Sequence, residues 1–354
     1  MTVLAMNGLD HQIAFAQRMG FDEARAPTRV RNSAEDGRRW FEVDGGHAGD
    51  HDRGGQFDVN ESGDLWVGWR IRAGSGYQAS NLGDGIRVAL IYVNSVRAIQ
   101  LVWWEQAAKR YFQLHDGTES ESAITDGDNL AQGGTWDGTG ERHMKLHVTN
   151  RDATGGDVEF YLDGDLMMTA TAVPGLATGE GAITGVVWSG RSSNVATQTN
   201  RFLRYRDIWI DDAVDVGNAE VALMLPNAQG TYDDGTLTGA TSKVDAVSNT
   251  PPDLTEFVSI GASDRESYVY DGSAVAASDR LFVSAVQPIP LFDTEVSVDL
   301  FTRDGGSDEA LATLDSKGSG VDGYRTISII DPHTSTGWSK AKLESGIEIG
   351  CEVG

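Results

Sequence analysis

Two carboxylates placed two residues apart on a strand share one face. A run of the form E-x-D-x-E can hold a pair of acids across a glycosidic bond, at about 5.5 Å or about 6.5–9.5 Å. Three stretches approach this pattern. Glu159 and Asp163 share a face, with Tyr161 between them; Glu42 and Asp44 are followed by Gly46 at the third position; Asp207 and Asp211 flank Trp209. None completes it, and alternating acids are ordinarily the wet side of a strand. Histidine with carboxylate can bind a metal, and residues 45–55 (GGHAGDHDRGG) contain His47, Asp50, His51 and Asp52. A glycine-rich loop leaves such ligands unoriented, so a solvated polar loop outweighs a metal site there. Asp126, Asp128 and Asn129 offer clustered oxygens of the kind Ca²⁺ takes. DGDN lacks the glutamate that closes an EF-hand loop, and an ordinary acidic loop is the alternative.

Trp66/Trp69 and Trp103/Trp104 could stack on sugars, but on alternating strands one member of each pair belongs in a core. Trp66 and Trp104 are the ligand candidates. No G-x-S-x-G elbow and no H-E-x-x-H are present, and GTYDDG and GSGVDG are not phosphate loops. The expectation is therefore no catalytic residue and no cofactor, with Ca²⁺ as the one ion the acidic loop could take.

The elements that would carry these residues are strands. Residues 143–172 read as a three-stranded meander. Met144, Leu146 and Val148 alternate with His143, Lys145 and His147, and Val158, Phe160 and Leu162 alternate with Glu159, Tyr161 and Asp163. Period-2 alternation sends one set to a core and the other towards water. Asp163-Gly164 suits a type I′ turn. Further strands are predicted over 38–43, 65–72, 87–93, 97–104, 111–115, 182–188 and 202–211. VALIYV, apolar on both faces, belongs at the centre of a sheet. A short helix is predicted over 11–19, and residues 116–140 read as a long polar loop.

Eight of nine tryptophans precede residue 213, which places a boundary near 214/215. The first domain is then 1–214 and the second 215–354, with 220–253 as a low-apolar, linker-like stretch. Strands are predicted in the second domain over 256–260, 267–270, 280–287, 295–301, 324–330 and 346–353, with one helical turn over 339–344. The fold class is all-β.

The 354-residue chain carries 53 acids against 28 bases, a net charge of −25. That excludes broad binding to a nucleic-acid backbone, which needs a basic face. No apolar run approaches the ~18 residues of a membrane span. MTVLAMNGLDHQ has neither a basic n-region nor an apolar h-region, so no secretory signal is expected. Cys351 is the single cysteine, so an internal disulfide is excluded.

LWVGWRIR (65–72), KLHV (145–148), DVEFYLDG (157–164) and RDIWIDD (206–212) resemble, in order and spacing, the concanavalin A-like lectin/glucanase (laminin G-like) jelly-roll β-sandwich. A wider set of landmarks is similar to a class of tailed-bacteriophage virion structural proteins. These are Gly8–His11, Gly37–Arg39 with Gly45–Gly46, Val221–Gly230, Pro251–Val258, Gly337-Trp338, Leu343 and Gly350–Gly354.

The resemblance implies a non-catalytic virion component assembled in the host cytoplasm, a tail or tail-tip appendage. It would form a homo-oligomer, contact other virion proteins and touch host surface glycans. A capsid decoration or head fibre is the near variant. A soluble carbohydrate-binding lectin and, last, a polysaccharide hydrolase are the alternatives, since this sandwich hosts both binders and enzymes.

Overall fold

A computed structural model of the chain describes residues 3–7, 23–25, 28–32, 39–44, 54–74, 85–106, 109–117, 129–190, 202–212, 215, 217, 224–248, 255–270, 284–286, 291–292, 297–315, 320–321, 326–328 and 330–354. The chain divides into two compact units, one built on Met1–Leu9 and Ala14–Val221, the other on Asp10–Ile13 and Ala222–Gly354.

The described strands of the first unit are antiparallel, and short 3-10 turns occupy Pro174–Leu176 and Thr178–Glu180. Its strands are Val3–Asn7 (β1), Glu23–Arg25 (β2), Thr28–Asn32 (β3), Arg39–Asp44 (β4), Gly54–Glu61 (β5), Leu65–Ala73 (β6), Ile86–Val93 (β7), Val96–Gln106 (β8), Lys109–Asp116 (β9), Asn129–Thr135 (β10), Glu141–Thr149 (β11), Gly156–Leu162 (β12), Asp165–Val173 (β13), Ile183–Ser189 (β14) and Phe202–Asp211 (β15). The larger sheet runs β13-β12-β11-β6-β15-β4-β3, with β1 also on β15; the smaller runs β10-β9-β8-β7-β14-β5-β2.

One apolar core contains side chains from both sheets. Leu65, Val67, Trp69 and Ile71 of β6 meet Val186 and Trp188 of β14 and Phe112 and Leu114 of β9 there. Trp69 packs edge-on against Trp188, with ring centroids 6.3 Å apart. Tyr205 of β15 donates to the Val88 carbonyl at 2.9 Å, which ties one sheet to the other. The apolar β7 is the middle strand of the smaller sheet, as its two-faced pattern requires.

The predicted meander is present as β11, β12 and β13. Its second turn has Asp163 at φ 53° and Gly164 at φ 99°, the paired positive angles of a type I′ turn. Strands β1, β2 and β3 precede the first strand expected, and two later stretches also differ from the expectation. The polar loop over 116–140 contains β10, and its Trp136 is buried on Trp103 and Phe112. β5 begins at Gly54, within the stretch expected to be a glycine-rich loop. The short helix expected over 11–19 lies outside the described residues.

In the second unit a five-stranded antiparallel sheet has the order Pro226–Asp233, Arg265–Tyr270, Ile347–Val353, Ser297–Asp304, Ser307–Asp315. The linker-like stretch over 220–253 therefore contains an edge strand of this sheet, the strand Thr236–Thr238 and the helix Lys243–Ser248. Its sparse apolar content is misleading, because polar contacts hold it: Gln229 donates to Glu266 at 2.6 Å, and Thr231 N–H to Glu348 at 2.6 Å. The predicted helical turn is Lys340–Glu344, capped by Ser339, whose hydroxyl accepts from Lys342 N–H. Among the described residues no helix is long and apolar enough to cross a membrane.

Candidate functional site

The outward face of the larger sheet collects the side chains with most chemistry. Register across β6, β11 and β12 fixes their places. His143 lies opposite Arg70, Lys145 opposite Gly68 and Tyr161, and His147 opposite Trp66 and Glu159. Directly opposed residues in antiparallel strands bring their Cβ atoms within about 4.5–5.5 Å, so these groups form one patch.

β15 completes the patch through a bulge. Its register against β6 shifts between Arg206 and Trp209, and Asp207 sits there at φ 49°. At the same place its second neighbour changes from β4, opposite residues 202–205, to β1, opposite residues 208–211. The extra residue flips the alternation. Leu203 and Tyr205 point into the core before it, and Ile208 and Ile210 after it. Trp209 thereby comes out onto the polar face. Its indole lies on Gly68, where an added Cβ would stand 2.1 Å from the ring.

The patch has two linked parts. In the first, Glu141 accepts from Arg70 at 2.8 Å and from Arg206 at 2.8 Å, and the buried Asp207 faces Arg70 Nε at 3.2 Å. The Arg206 guanidinium also lies 4.5 Å over the Trp40 ring. In the second, Trp66 stacks on His147 at 3.7 Å, and Glu159 binds His147 Nδ1 at 3.0 Å and accepts from the Tyr161 hydroxyl at 2.7 Å. Lys145 Nζ lies 4.8 Å from the Tyr161 ring centre and 5.5 Å from that of Trp66, and it donates to Asp215.

Burial sets the protonation states. Burial, with the charges of Arg70 and Lys145, pushes His143 down to about 4, so its imidazole is neutral at pH 7. His143 is 3% exposed, and neither ring nitrogen has a hydrogen-bond partner among the described residues. Burial and the neighbouring Glu159 push the Tyr161 phenol up to about 12, which keeps it protonated. Burial works against the Glu159 carboxylate, but hydrogen bonds from His147 and Tyr161 outweigh it and hold the group below its ordinary value. One strand pair thus presents a neutral imidazole, a cation and a protonated phenol, with the cation between the other two.

The sequence-derived candidates fare differently. Trp66 is in this patch, half-buried, with one face covered by His147. Trp104 is only 8% exposed and packs with Val102 and Tyr111 on the outside of the smaller sheet, so it offers a sugar no open platform. His47, His51, Asp126 and Asp128 lie outside the described residues, and Asn129 begins β10. Among the described residues no three His, Cys, Asp or Glu side chains gather as a metal site.

Of the carboxylate pairs, Glu42 binds Arg204 at 3.0 Å and Asp207 faces Arg70, so both serve as counter-ions. By alternation alone, His143, Lys145 and Tyr161 are only the wet side of the meander. Their signal in the sequence is the density of His, Lys and Tyr on one face of two adjacent strands. A second polar row, Arg87, Gln100, Gln113 and His115, lies outside the smaller sheet. It is enclosed and bonded within itself: Arg87 to Gln100 at 2.5 Å and His115 to Gln113 at 2.9 Å.

No protein-family model and no curated protein sequence matches the chain. Among solved structures, a double variant of alginate lyase Aly36B with bound alginate trisaccharide is similar over 59% of this chain and 98% of its own, at 11% identity and TM-score 0.45. An endo-β-1,4-glucuronan lyase from the fungus Trichoderma reesei covers 62% and 100%, at 14% identity and TM-score 0.42. The carbohydrate recognition domain of Emp46p covers 53% and 88%, at 12% identity and TM-score 0.36.

The two antiparallel sheets around one core form the all-β jelly-roll sandwich expected for the first part of the chain. The functional expectation is corrected. The similar structures named here are polysaccharide lyases and a lectin-type domain, and the expectation of a non-catalytic tail or capsid component is not retained.

Proposed function

We propose that the first unit binds a polysaccharide bearing uronate carboxylates on the outward face of its larger sheet and cleaves it by β-elimination. The observation that carries this reading is the grouping of His143, Lys145 and Tyr161 on β11 and β12, in three complementary states. Elimination next to a carboxylate needs each of them. A cation seated on the carboxylate stabilises the charge that develops when the adjacent C–H proton leaves. A neutral base takes that proton, and a protonated group delivers one to the departing glycosidic oxygen.

Both side chains are covered in the unliganded chain; with that cover displaced by the sugar, Lys145 would meet the carboxylate and the His143 imidazole would accept the proton from C5. As the C4–O bond breaks and the C4–C5 double bond forms, Tyr161 would protonate the leaving oxygen. Passage of the proton from His143 to the phenolate through solvent restores both groups. Trp66, half-exposed beside them, supplies an apolar edge for a sugar ring.

The test uses alginate and glucuronan as first probes, with ultraviolet absorbance of the unsaturated product as readout. The expected result is product formation by the intact chain. Tyr161→Phe should lower kcat by about 10²–10⁴-fold with little change in KM, since it removes a proton donor and leaves the binding cation. Absence of both binding and product with every uronate polymer would refute the proposal. Binding without product would refute its chemical step and leave a recognition face.

A further inference from the structure

Lys145 differs from the other cations of the patch in the origin of its partner. Arg70 and Arg206 share Glu141, a residue of β11, so that ion pairing is fixed by strand register. Lys145 instead donates to Asp215, which lies beyond the end of β15 and outside the sheet. The two side chains are unequally placed: Lys145 is 5% exposed and Asp215 is 36% exposed. The lysine is thus the inner partner, walled by the Tyr161 and Trp66 rings, and the carboxylate closes the remaining side from without.

Asp215 is also held in place locally. Its second oxygen accepts the Gly217 N–H at 2.8 Å, and Gly217 has φ 77° with open space around it. A single carboxylate, oriented by its own turn, therefore covers the cation placed to receive a ligand carboxylate.

We infer that Asp215 is an internal competitor for the anion seat on Lys145, and that a uronate binds by displacing it. This rests on the reading of the patch as a uronate-binding face. A carboxylate of the chain and one of the sugar cannot both sit on the same ammonium between the same two rings. Apparent affinity is then the intrinsic affinity reduced by the fraction of molecules in which the seat is vacant. The contact sets a threshold: isolated carboxylates do not hold the site, whereas a polymer engaging several positions at once does.

The experiment measures binding of alginate oligosaccharides by calorimetry for the intact chain, Asp215→Asn, Lys145→Ala and the double variant. With the seat vacant in about one molecule in ten, Asp215→Asn should bind about tenfold tighter than wild type. Lys145→Ala should bind weakly in both backgrounds, because the seat itself is gone. The amide introduced by Asp215→Asn keeps an oxygen for Gly217 N–H, so the turn has reason to persist.

A second measurement needs no variant. Saturating alginate should speed hydrogen exchange at the Gly217 amide as Asp215 leaves. Equal or weaker binding by Asp215→Asn, or an unchanged Gly217 amide in the bound wild type, would overturn the competitor role while leaving the binding face intact. Failure of both wild type and Asp215→Asn to bind alginate or glucuronan would bring down the binding face, and this inference with it.

Discussion

His143 gives the sharpest test of the electrostatics on this face, and it needs no ligand. The buried imidazole titrates at about 4, against an ordinary value of 6.5. Between those values an unfolded chain takes up a proton that the folded chain refuses. The folded state is therefore penalised as pH falls: the contribution is intact above 6.5, lost progressively below it, and fully lost near 4. At pH 5 the loss is about 2 kcal/mol, rising to about 3 kcal/mol when the titration is complete.

The perturbation is His143→Asn, which removes the titrating group and keeps a polar side chain. Urea unfolding followed by tryptophan fluorescence reports mainly the first unit, since eight of the nine tryptophans precede residue 213. Wild type should lose about 2 kcal/mol more stability than the variant on going from pH 7 to pH 5. Carboxylates that titrate in the same window affect both proteins equally and cancel in the difference. Equal losses would show that His143 is neither buried nor neutral as described, and would remove the basis for its role as a base.

Two further outcomes are expected. Gly68→Ala places a methyl group 2.1 Å from the Trp209 indole, so the ring must leave the sheet. Overpacking of this kind costs about 1–3 kcal/mol, and the urea midpoint should fall; an unchanged midpoint would mean that Trp209 does not lie on β6. In the second unit, Asp308 accepts from the Tyr232 hydroxyl at 2.6 Å and from Arg265 at 2.8 Å. Burial opposes its charge, but hydrogen bonds from Tyr232, Arg265 and Arg303 outweigh that and hold it down to about 2. Its stabilisation should be present above pH 4 and fade towards about pH 2. Asp308→Asn should accordingly speed amide exchange over 265–270 at pH 7, and no change there would contradict the network.

Much of the first unit is legible in its residue pattern because strands such as β6, β11 and β12 send alternate residues into one core. LWVGWRIR and the meander alternate cleanly, and Asp163-Gly164 specifies its own turn. The site is less legible for two reasons. Alternation says which residues leave the core, but not that His143 and Lys145 are then buried again on the far side of the sheet. FLRYRDIWID also breaks its own period. Read with strict alternation, Trp209 joins Leu203 and Tyr205 in the core, and only the bulge at Asp207 turns it outward. A bulge has no reliable composition, so that step needs three dimensions. In the second unit the strand Pro226–Asp233 escapes the pattern because hydrogen bonds to Glu266 and Glu348 hold it where apolar contacts ordinarily would.

The pairing of Arg70, Arg206 and Lys145 with Glu141, Asp207 and Asp215 has a kinetic consequence. Seen from afar, these cations are cancelled by their partners, and an approaching polyanion meets only the field of a chain with net charge −25. Attraction begins only at contact range, once a carboxylate can exchange for one already in place. Screening shortens the reach of the repulsion to about 10 Å at about 0.1 M salt while leaving the close contacts largely intact. Added salt should thus quicken the encounter with an acidic polymer, the reverse of the steering that a basic cleft provides. Selectivity on this face would then lie in exchange at short range and not in capture at a distance.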